Sequence, residues 1–272
     1  MLYAMYFSPN GTTLKTLKNI VSGMGQEAIY IDMTNPENRK KEYNFSKEDT
    51  VLYGTITAAM LFATNKEIFS RLNGNGARFI GVAMYGNGYY GVALKQLRDR
   101  ATKRGFKVVA VAAFIGRHAQ GGTASGRPDE KDIEKQISFG KSVAGITTEL
   151  HKKIPVGWAT SPLYNTIVCA RLFMQGQDYT LPAFLKTKEA NGCVGCGTCE
   201  RNCPVGAIKM TSAAEGKKPV FDSKKCIACY RCIGNCPEKA ITFTSKVMNG
   251  IGKDFGSKFS KRIEPTICMD KN

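Results

Sequence analysis

Short apolar runs alternate with helical periodicity through the first 150 residues. Residues 2–7 form the first run, and Ser8-Pro9-Asn10-Gly11 follows as a turn signal. Residues 12–22 place Leu14, Leu17, Ile20 and Val21 on one helical face. Further short runs occupy 28–33 and 51–56. Residues 61–72 read as a helix with Leu61, Ile68, Phe69 and Leu72 on its apolar side. A strand at 79–85, a helix at 92–103 and a strand at 106–115 continue the alternation. Arg127-Pro128-Asp129-Glu130 opens another helix, with Pro in its first turn and acids at the positive end of the dipole. Five strands joined by crossovers need a parallel sheet covered on both faces, so the expected class is α/β.

The pattern changes after residue 150. Residues 151–187 read as a connector with Pro155, Pro162 and Pro182 and one apolar helical stretch at 164–174. Residues 188–244 carry an internal repeat: 193–210 aligns with 226–243 at a shift of 33. Four cysteines match, as do Asn202 and Asn235, Pro204 and Pro237, Ala207 and Ala240, and Ile208 and Ile241. Each half is too small to hold a core without metal. Residues 245–272 form a tail with Val247, Ile251, Phe255, Phe259 and Ile263 at intervals of four and basic residues between them. Gly250, Gly252 and Gly256 weaken a helix there, so a tail packed on the protein's own surface is preferred to a membrane-surface helix.

Composition narrows the class. The chain has 272 residues, 43% hydrophobic and 22% charged, which is globular and argues against disorder. No run approaches the roughly 18 apolar residues of a membrane span. The N-terminus lacks the basic start and long apolar core of a signal peptide, so the expected location is cytoplasmic. A cytoplasmic setting makes ten cysteines a poor disulfide framework. The formal net charge of +17 is spread along the chain as a solvated basic surface that suits an acidic redox partner better than nucleic acid.

The cysteine spacing is specific. Cys193, Cys196, Cys199 and Cys203 form a C-x2-C-x2-C-x3-C-P run, and Cys226, Cys229, Cys232 and Cys236 form a second. Three thiolates at i, i+3 and i+6 hold three corners of an iron–sulfur cube, and the fourth ligand comes from the other run. One [4Fe–4S] cluster is thus assigned to Cys193, Cys196, Cys199 and Cys236, the other to Cys226, Cys229, Cys232 and Cys203. Zinc prefers well-separated pairs, which this spacing lacks. Glycines at 192, 195, 197 and 234 would let backbone N–H groups reach the sulfurs.

A second site is legible at the first strand end. Ser8, Asn10, Gly11, Thr12 and Thr13 lie where backbone N–H groups and hydroxyls cradle a phosphate at a helix N-terminus. A Walker loop is excluded, since there is no Gly-x4-Gly-Lys-Ser/Thr. Residues 86–91 match G-x-G-x-x-G, but 106–117 carries no acid for a ribose, so a dinucleotide site is not expected there.

At these residues the chain resembles flavodoxins. Ser8, Gly11 and Thr13 match the phosphate signature Ser/Thr-x-Thr-Gly-x-Thr, with Asn10 in place of Thr, and Tyr85-Gly86-Asn87 resembles the loop beside the flavin. The whole chain is similar to EFR-type flavodoxin–ferredoxin fusions. That resemblance implies a flavodoxin-like FMN domain at 1–150 and a two-cluster ferredoxin-like α+β domain at 188–244. It implies FMN held at its phosphate by Ser8 to Thr13. The ring would lie between Thr55, Ile56, Thr57, Ala58, Ala59, Met60 and the residues Tyr85, Gly86, Asn87, Gly88, Tyr89, Tyr90. Residues 55–60 lack the aromatic of a Pro-x-Tyr-Gly-like stretch, so stacking falls to Tyr85, Tyr89 or Tyr90.

The expected function is electron transfer between FMN, two [4Fe–4S] clusters and an external redox partner. One alternative is a flavin-dependent reductase of a small substrate fed by the clusters. Another is a flavin-less, cluster-containing binding protein. No nucleophile–base signature points to hydrolysis. Cys169 and Cys268 read as buried inert thiols, His118 as a loop residue, and His151 and Trp158 as structural.

Overall fold

The computed structural model describes residues 1–272 apart from 59, 63, 118–123, 125, 158–181, 214–215, 247–260 and 271–272. The helical stretch at 164–174, Ala59, His118, Trp158, Cys169 and the tail residues Val247, Ile251, Phe255 and Phe259 lie outside the described residues. The chain divides into two compact units. One comprises Met1–Arg117, Ala124–Tyr179 and Lys261–Asn272; the other comprises His118–Thr123 and Thr180–Ser260.

The first unit runs β1 (Leu2–Tyr6), α1 (Thr12–Met24), β2 (Ile29–Asp32), α2 (Pro36–Lys40), β3 (Tyr43–Asn44), β4 (Thr50–Ile56), α3 (Thr64–Ser70), β5 (Leu72–Asn73), β6 (Arg78–Tyr85), α4 (Ala93–Lys103), β7 (Lys107–Ile115) and α5 (Glu130–Ala144). Among the described residues its large sheet has the order β2-β1-β4-β6-β7, all parallel. Counting those five strands alone gives 2-1-3-4-5, the flavodoxin-like doubly wound order. The direction of winding reverses beside β1, and ligands bind past the carboxyl ends of strands at such a point.

A sixth strand joins the edge. The chain's last strand (Thr266–Met269) runs antiparallel to β7, pairing Thr266 with Ala113 and Met269 with Ala110. The sequence left these residues in a tail. Four residues carry too little alternation to announce a strand, and their partner lies more than 150 positions away. Cys268 is buried in this strand, and burial pushes its thiol up.

Two apolar layers hold the sheet. On one side Leu17, Ile20, Val21 and Met24 of α1 and Phe139 and Val143 of α5 pack with Leu52, Ile80, Val82, Val109 and Phe114 from the strands. Elsewhere Phe45, Tyr53, Phe69, Phe79 and Phe106 form a chain of rings with centroids 5.1–6.3 Å apart. Tyr53 donates its buried hydroxyl to Asn65 Oδ1 at 2.6 Å.

Two helix starts differ from the sequence pattern. α3 begins at Thr64, because the N–H of Leu61 is taken by Gln96 Oε1 at 2.8 Å and Leu61 bridges Thr57. At α5 the N-cap is Asp129, so Pro128 stands just outside the first turn. The Asp129 carboxylate accepts from the Asp132 N–H, and the Asp132 carboxylate accepts from the Asp129 N–H, each at 3.0 Å.

α1 and α5 touch through glycine. A Cβ on Gly140 would meet the Ile20 carbonyl oxygen at 2.1 Å, and one on Gly23 the Ile137 oxygen at 2.0 Å. Both obstacles are backbone, so only a shift of one helix could relieve them. Gly140→Ala should destabilise the first unit by about 1–3 kcal/mol, the usual cost of overpacking. Denaturant unfolding followed by far-UV dichroism checks this; an unchanged midpoint would refute the close approach.

The second unit pairs β8 (Lys188–Ala190) with β11 (Ile241–Phe243), and β9 (Ile208–Ala213) with β10 (Gly216–Phe221), both antiparallel. Short helices, Thr198–Arg201 and Arg231–Gly234, follow the two cysteine loops. They are 33 residues apart, which is the sequence repeat.

Candidate functional site: two cysteine hollows and a helix N-terminus

The repeat extends to backbone conformation. Gly195, Gly197 and Gly206 have φ of 74°, 71° and 60°. Their partners 33 residues on, Ala228, Tyr230 and Lys239, have φ of 54°, 62° and 50°. A left-handed conformation costs a non-glycine residue roughly 1–2 kcal/mol. The second half accepts that cost three times to keep the same loop.

Those loops arrange the sulfurs around two hollows. Cys193, Cys196, Cys199 and Cys236 line one. Cys203, Cys226, Cys229 and Cys232 line the other. Each hollow takes three cysteines from one run and the fourth from the other. Among the described residues, no three His, Cys, Asp or Glu side chains are placed to hold a single ion. The sulfurs ring a space rather than meet at a point.

Backbone donors repeat as well. Gly195 and Ala228 donate N–H to Cys193 and Cys226 Sγ at 3.4 and 3.3 Å. Ala207 and Ala240 donate to Cys203 and Cys236 Sγ at 3.2 and 3.4 Å. The sequence named Gly195 for this role and missed the three alanines, because an N–H aimed at sulfur needs a loop conformation and not a particular side chain.

Burial opposes ionisation of three of the thiols. Burial pushes the Cys229 thiol up to about 12, helped by Cys232, Cys226 and Cys203 nearby. Burial also pushes Cys232 up to about 11, with Cys226 and Cys203 adding to the rise. Cys199 is raised by burial first and by Cys193 and Cys196 after it. Exposed Cys196 goes the other way, lowered chiefly by the Thr198 hydroxyl beside it. Metal ligation requires thiolates, so cations within the hollows must supply what the protein withholds.

In the first unit, the loop after β1 ends at Gly11 in a left-handed conformation, φ 80°, at the N-cap of α1. The N-cap residue, being glycine, has no side chain to cap this helix end. The Ser8 hydroxyl accepts from the Leu14 N–H at 3.1 Å, and the Ser8 N–H donates to Thr34 Oγ1 at 2.7 Å. Thr13 is fully buried, and its hydroxyl has no hydrogen-bond partner among the described residues. Asn10 and Gly11 are exposed and Thr12 half-buried. α1 sits close on the sheet: a Cβ on Gly54 would meet Thr13 at 2.7 Å, and one on Gly116 would meet Thr12 at 2.7 Å.

The loops after β4 and β6 divide by exposure. Thr55 and Met60 are buried, as is Phe62, while Ile56, Thr57 and Ala58 are half-buried. The Thr57 N–H donates to the Met84 carbonyl, and its hydroxyl to the Met60 carbonyl. Tyr85 and Tyr90 are buried against each other, edge to face at 5.6 Å, and Gly88 is buried. Gly86 and Tyr89 are half-buried.

Asn87 is spoken for. It is buried with φ 61°, its amide N–H donates to the Lys261 carbonyl at 2.8 Å, and its amide oxygen accepts from Arg127 and from the Ile263 N–H. Arg127 also donates to the Ile263 carbonyl and forms a two-pronged pair with buried Asp132. Arg262 donates to Asp129 and Asp132. Arg262, together with the Asp132 N–H, holds the Asp129 carboxyl well below the usual carboxylate range. The segment before the last strand is thus latched onto the loop after β6. Nothing in the sequence near Asn87 announces this, since its partners lie 40 to 176 positions away.

Residues 192–240 match the family described as a 4Fe-4S dicluster domain. A flavodoxin from the domain Archaea is 15% identical over 53% of this chain and 95% of its own, with a TM-score of 0.38. The two-electron reduced flavodoxin of Megasphaera elsdenii is 16% identical over 52% and 98%, with a TM-score of 0.34. A structure titled flavone reductase is 9% identical over 97% and 99%, with a TM-score of 0.40. No curated protein matches the chain. Among the described residues no helix is long and apolar enough to cross a membrane.

Two substitutions probe these arrangements. Cys203→Ala should remove the cluster signal that depends on Cys226, Cys229 and Cys232 while sparing the other, as read by EPR of the reduced protein. Retention of both signals at full strength would exclude the crossed ligand set. Arg127→Ala should cost about 3 kcal/mol, because buried Asp132 loses its two-pronged partner and keeps Arg262 and the Asp129 N–H. Hydrogen exchange should then speed at residues 86–91 and 266–269 together; unchanged exchange would refute the latch.

Proposed function

We propose that the protein is an electron carrier that joins FMN in the first unit to two [4Fe–4S] clusters in the second. The observation that carries this reading is the pair of four-cysteine hollows, each assembled from both runs. Four thiolates saturate each cube, so the clusters carry electrons and bind no substrate.

The residues of the first unit suit FMN at the phosphate end. The N–H groups that open α1, the positive end of its dipole and the Thr13 hydroxyl, which has no partner among the described residues, are matched to a dianion. Ser8, Asn10, Gly11, Thr12 and Thr13 would hold it. Ile56, Thr57, Ala58, Gly86 and Tyr89 would border the ring, since their surfaces are accessible. FMN accepts one or two electrons, so its union with one-electron clusters lets the chain trade between two-electron and one-electron chemistry. The +17 formal charge would steer an acidic redox partner onto the protein.

A second reading, a cluster protein without flavin, draws on the ring loops. Tyr85, Tyr90 and Phe62 are buried and Asn87 is engaged by the last segment, which leaves Tyr89 as the half-exposed aromatic side chain there.

Anaerobic purification with iron and acid-released flavin counted decides between them. The carrier requires iron near eight and FMN near one per chain. Eight irons with no flavin would select the second reading, and iron-free protein would end both. Thr13→Val sharpens the flavin side. It removes a hydroxyl that has no hydrogen-bond partner among the described residues, so stability should hold or rise while FMN affinity falls about tenfold or more. Unchanged FMN affinity by fluorescence titration would remove Thr13 from the site.

A further inference from the structure

The two hollows share a backbone but not a charge environment. Lys188 and Arg231 line the second hollow, and both are half-buried. Lys188 Nζ lies 2.9 Å from Cys226 Sγ and 4.6 Å from the centroid of the Phe243 ring. Buried Lys186 donates to the Cys226 carbonyl at 2.6 Å, with Asp222 close enough to act on it. Strand pairing sets the counterparts: Lys188 faces Phe243, and Pro219 faces Met210, the repeat mate of Phe243, so proline stands where Lys188 does in the second hollow. The counterpart of Lys186 is Lys217, which is exposed to solvent. An acid lines that hollow instead, Glu238, and no cation does among the described residues. Arg201 donates to the Cys196 carbonyl there at 3.0 Å, but from an exposed position that solvent screens.

We infer that Lys188 and Arg231 make the cluster held by Cys226, Cys229, Cys232 and Cys203 the one that receives the first electron. The inference rests on the two-cluster reading above. Four thiolates around an oxidised core leave a net charge of about −2, and one electron from an external reductant adds another negative charge with no bond made or broken. A cation touching a ligand sulfur in a half-buried site stabilises the added charge with little screening. An acid on the rim of the other hollow opposes it. Burial of Cys229 and Cys232 works against added charge in the second hollow, and Lys188, in contact with the Cys226 sulfur, works for it. Lys188 and Arg231 are tuning residues: they move no proton and bind no substrate.

The test is an anaerobic potentiometric titration of the full chain, read by EPR, on protein whose iron has been counted. Iron well short of eight in the unaltered protein would fail the two-cluster reading, separately from this inference. With eight irons present, Lys188→Met should lower the higher of the two midpoint potentials and leave the lower one in place. Lys188→Arg should keep both near their original values. Glu238→Gln, at an exposed position, should raise the lower potential alone. The inference is overturned if Lys188→Met moves neither potential, moves both equally or moves the lower one. Should Lys188→Met fail to load iron, Glu238→Gln decides. A rise confined to the lower potential supports the assignment, and no shift or a shift of the higher one overturns it.

Discussion

The buried Cys229 and Cys232 thiols resist ionisation unless positive charge sits beside them. Everything in the second unit follows from that constraint. One of its small clusters gathers Cys199, Ile208 and Ile241, with Cys203, Cys232 and Cys236 packed against them, and the other centres on Ala228 and Phe243. The cysteines are therefore both ligands and core. Burial pushes the Cys229 and Cys232 thiols far above neutrality. Metal binding and folding of such a unit are one free-energy change. Because each hollow borrows a cysteine from the other run, neither half can be completed alone.

The first unit rests on a different footing. Apolar burial over both faces of a parallel sheet stabilises it, as in any doubly wound fold. Its binding end is made by topology: the reversal of strand order at β1 opens a crevice, and α1 points its N-terminus there. The glycines at 54 and 116 let that helix end sit close against the strands. Ligand affinity in this unit is thus a late addition to a stable scaffold, whereas in the second unit it is the scaffold.

How much of this could be read from the chain differs by range of interaction. The five parallel strands were legible because each is a continuous apolar run set by local composition. The cysteine sets were legible because loop spacing and the impossibility of a fourth local ligand force the crossing. Helix starts were less so: Leu61 fits the period of α3, yet a side chain from α4, Gln96, captures its N–H. Lys188 acts on a sulfur 38 positions away through the pairing of two three-residue strands, too short for any periodic signal. The last strand and the Asn87 latch were invisible for the same reason. The sequence reading placed Tyr85 and Tyr90 beside a ring; the structure buries them against each other.

That latch changes how the flavin end should be understood. The loop after β6 adopts a left-handed turn at Asn87, a conformation that is uncommon for a side-chain-bearing residue but tolerated by Asn. Both ends of the Asn87 amide are then consumed by the backbone of Lys261 and Ile263, with Arg127 holding the same carbonyl and the same amide oxygen. These partners belong to residues that the ribosome makes after both cysteine runs. The sheet strands β1 to β7 need nothing from that segment to pair, but the loop bordering the proposed ring needs it to reach this conformation. The chain thus sets the last part of its first unit only after the cluster-binding segment has been synthesised.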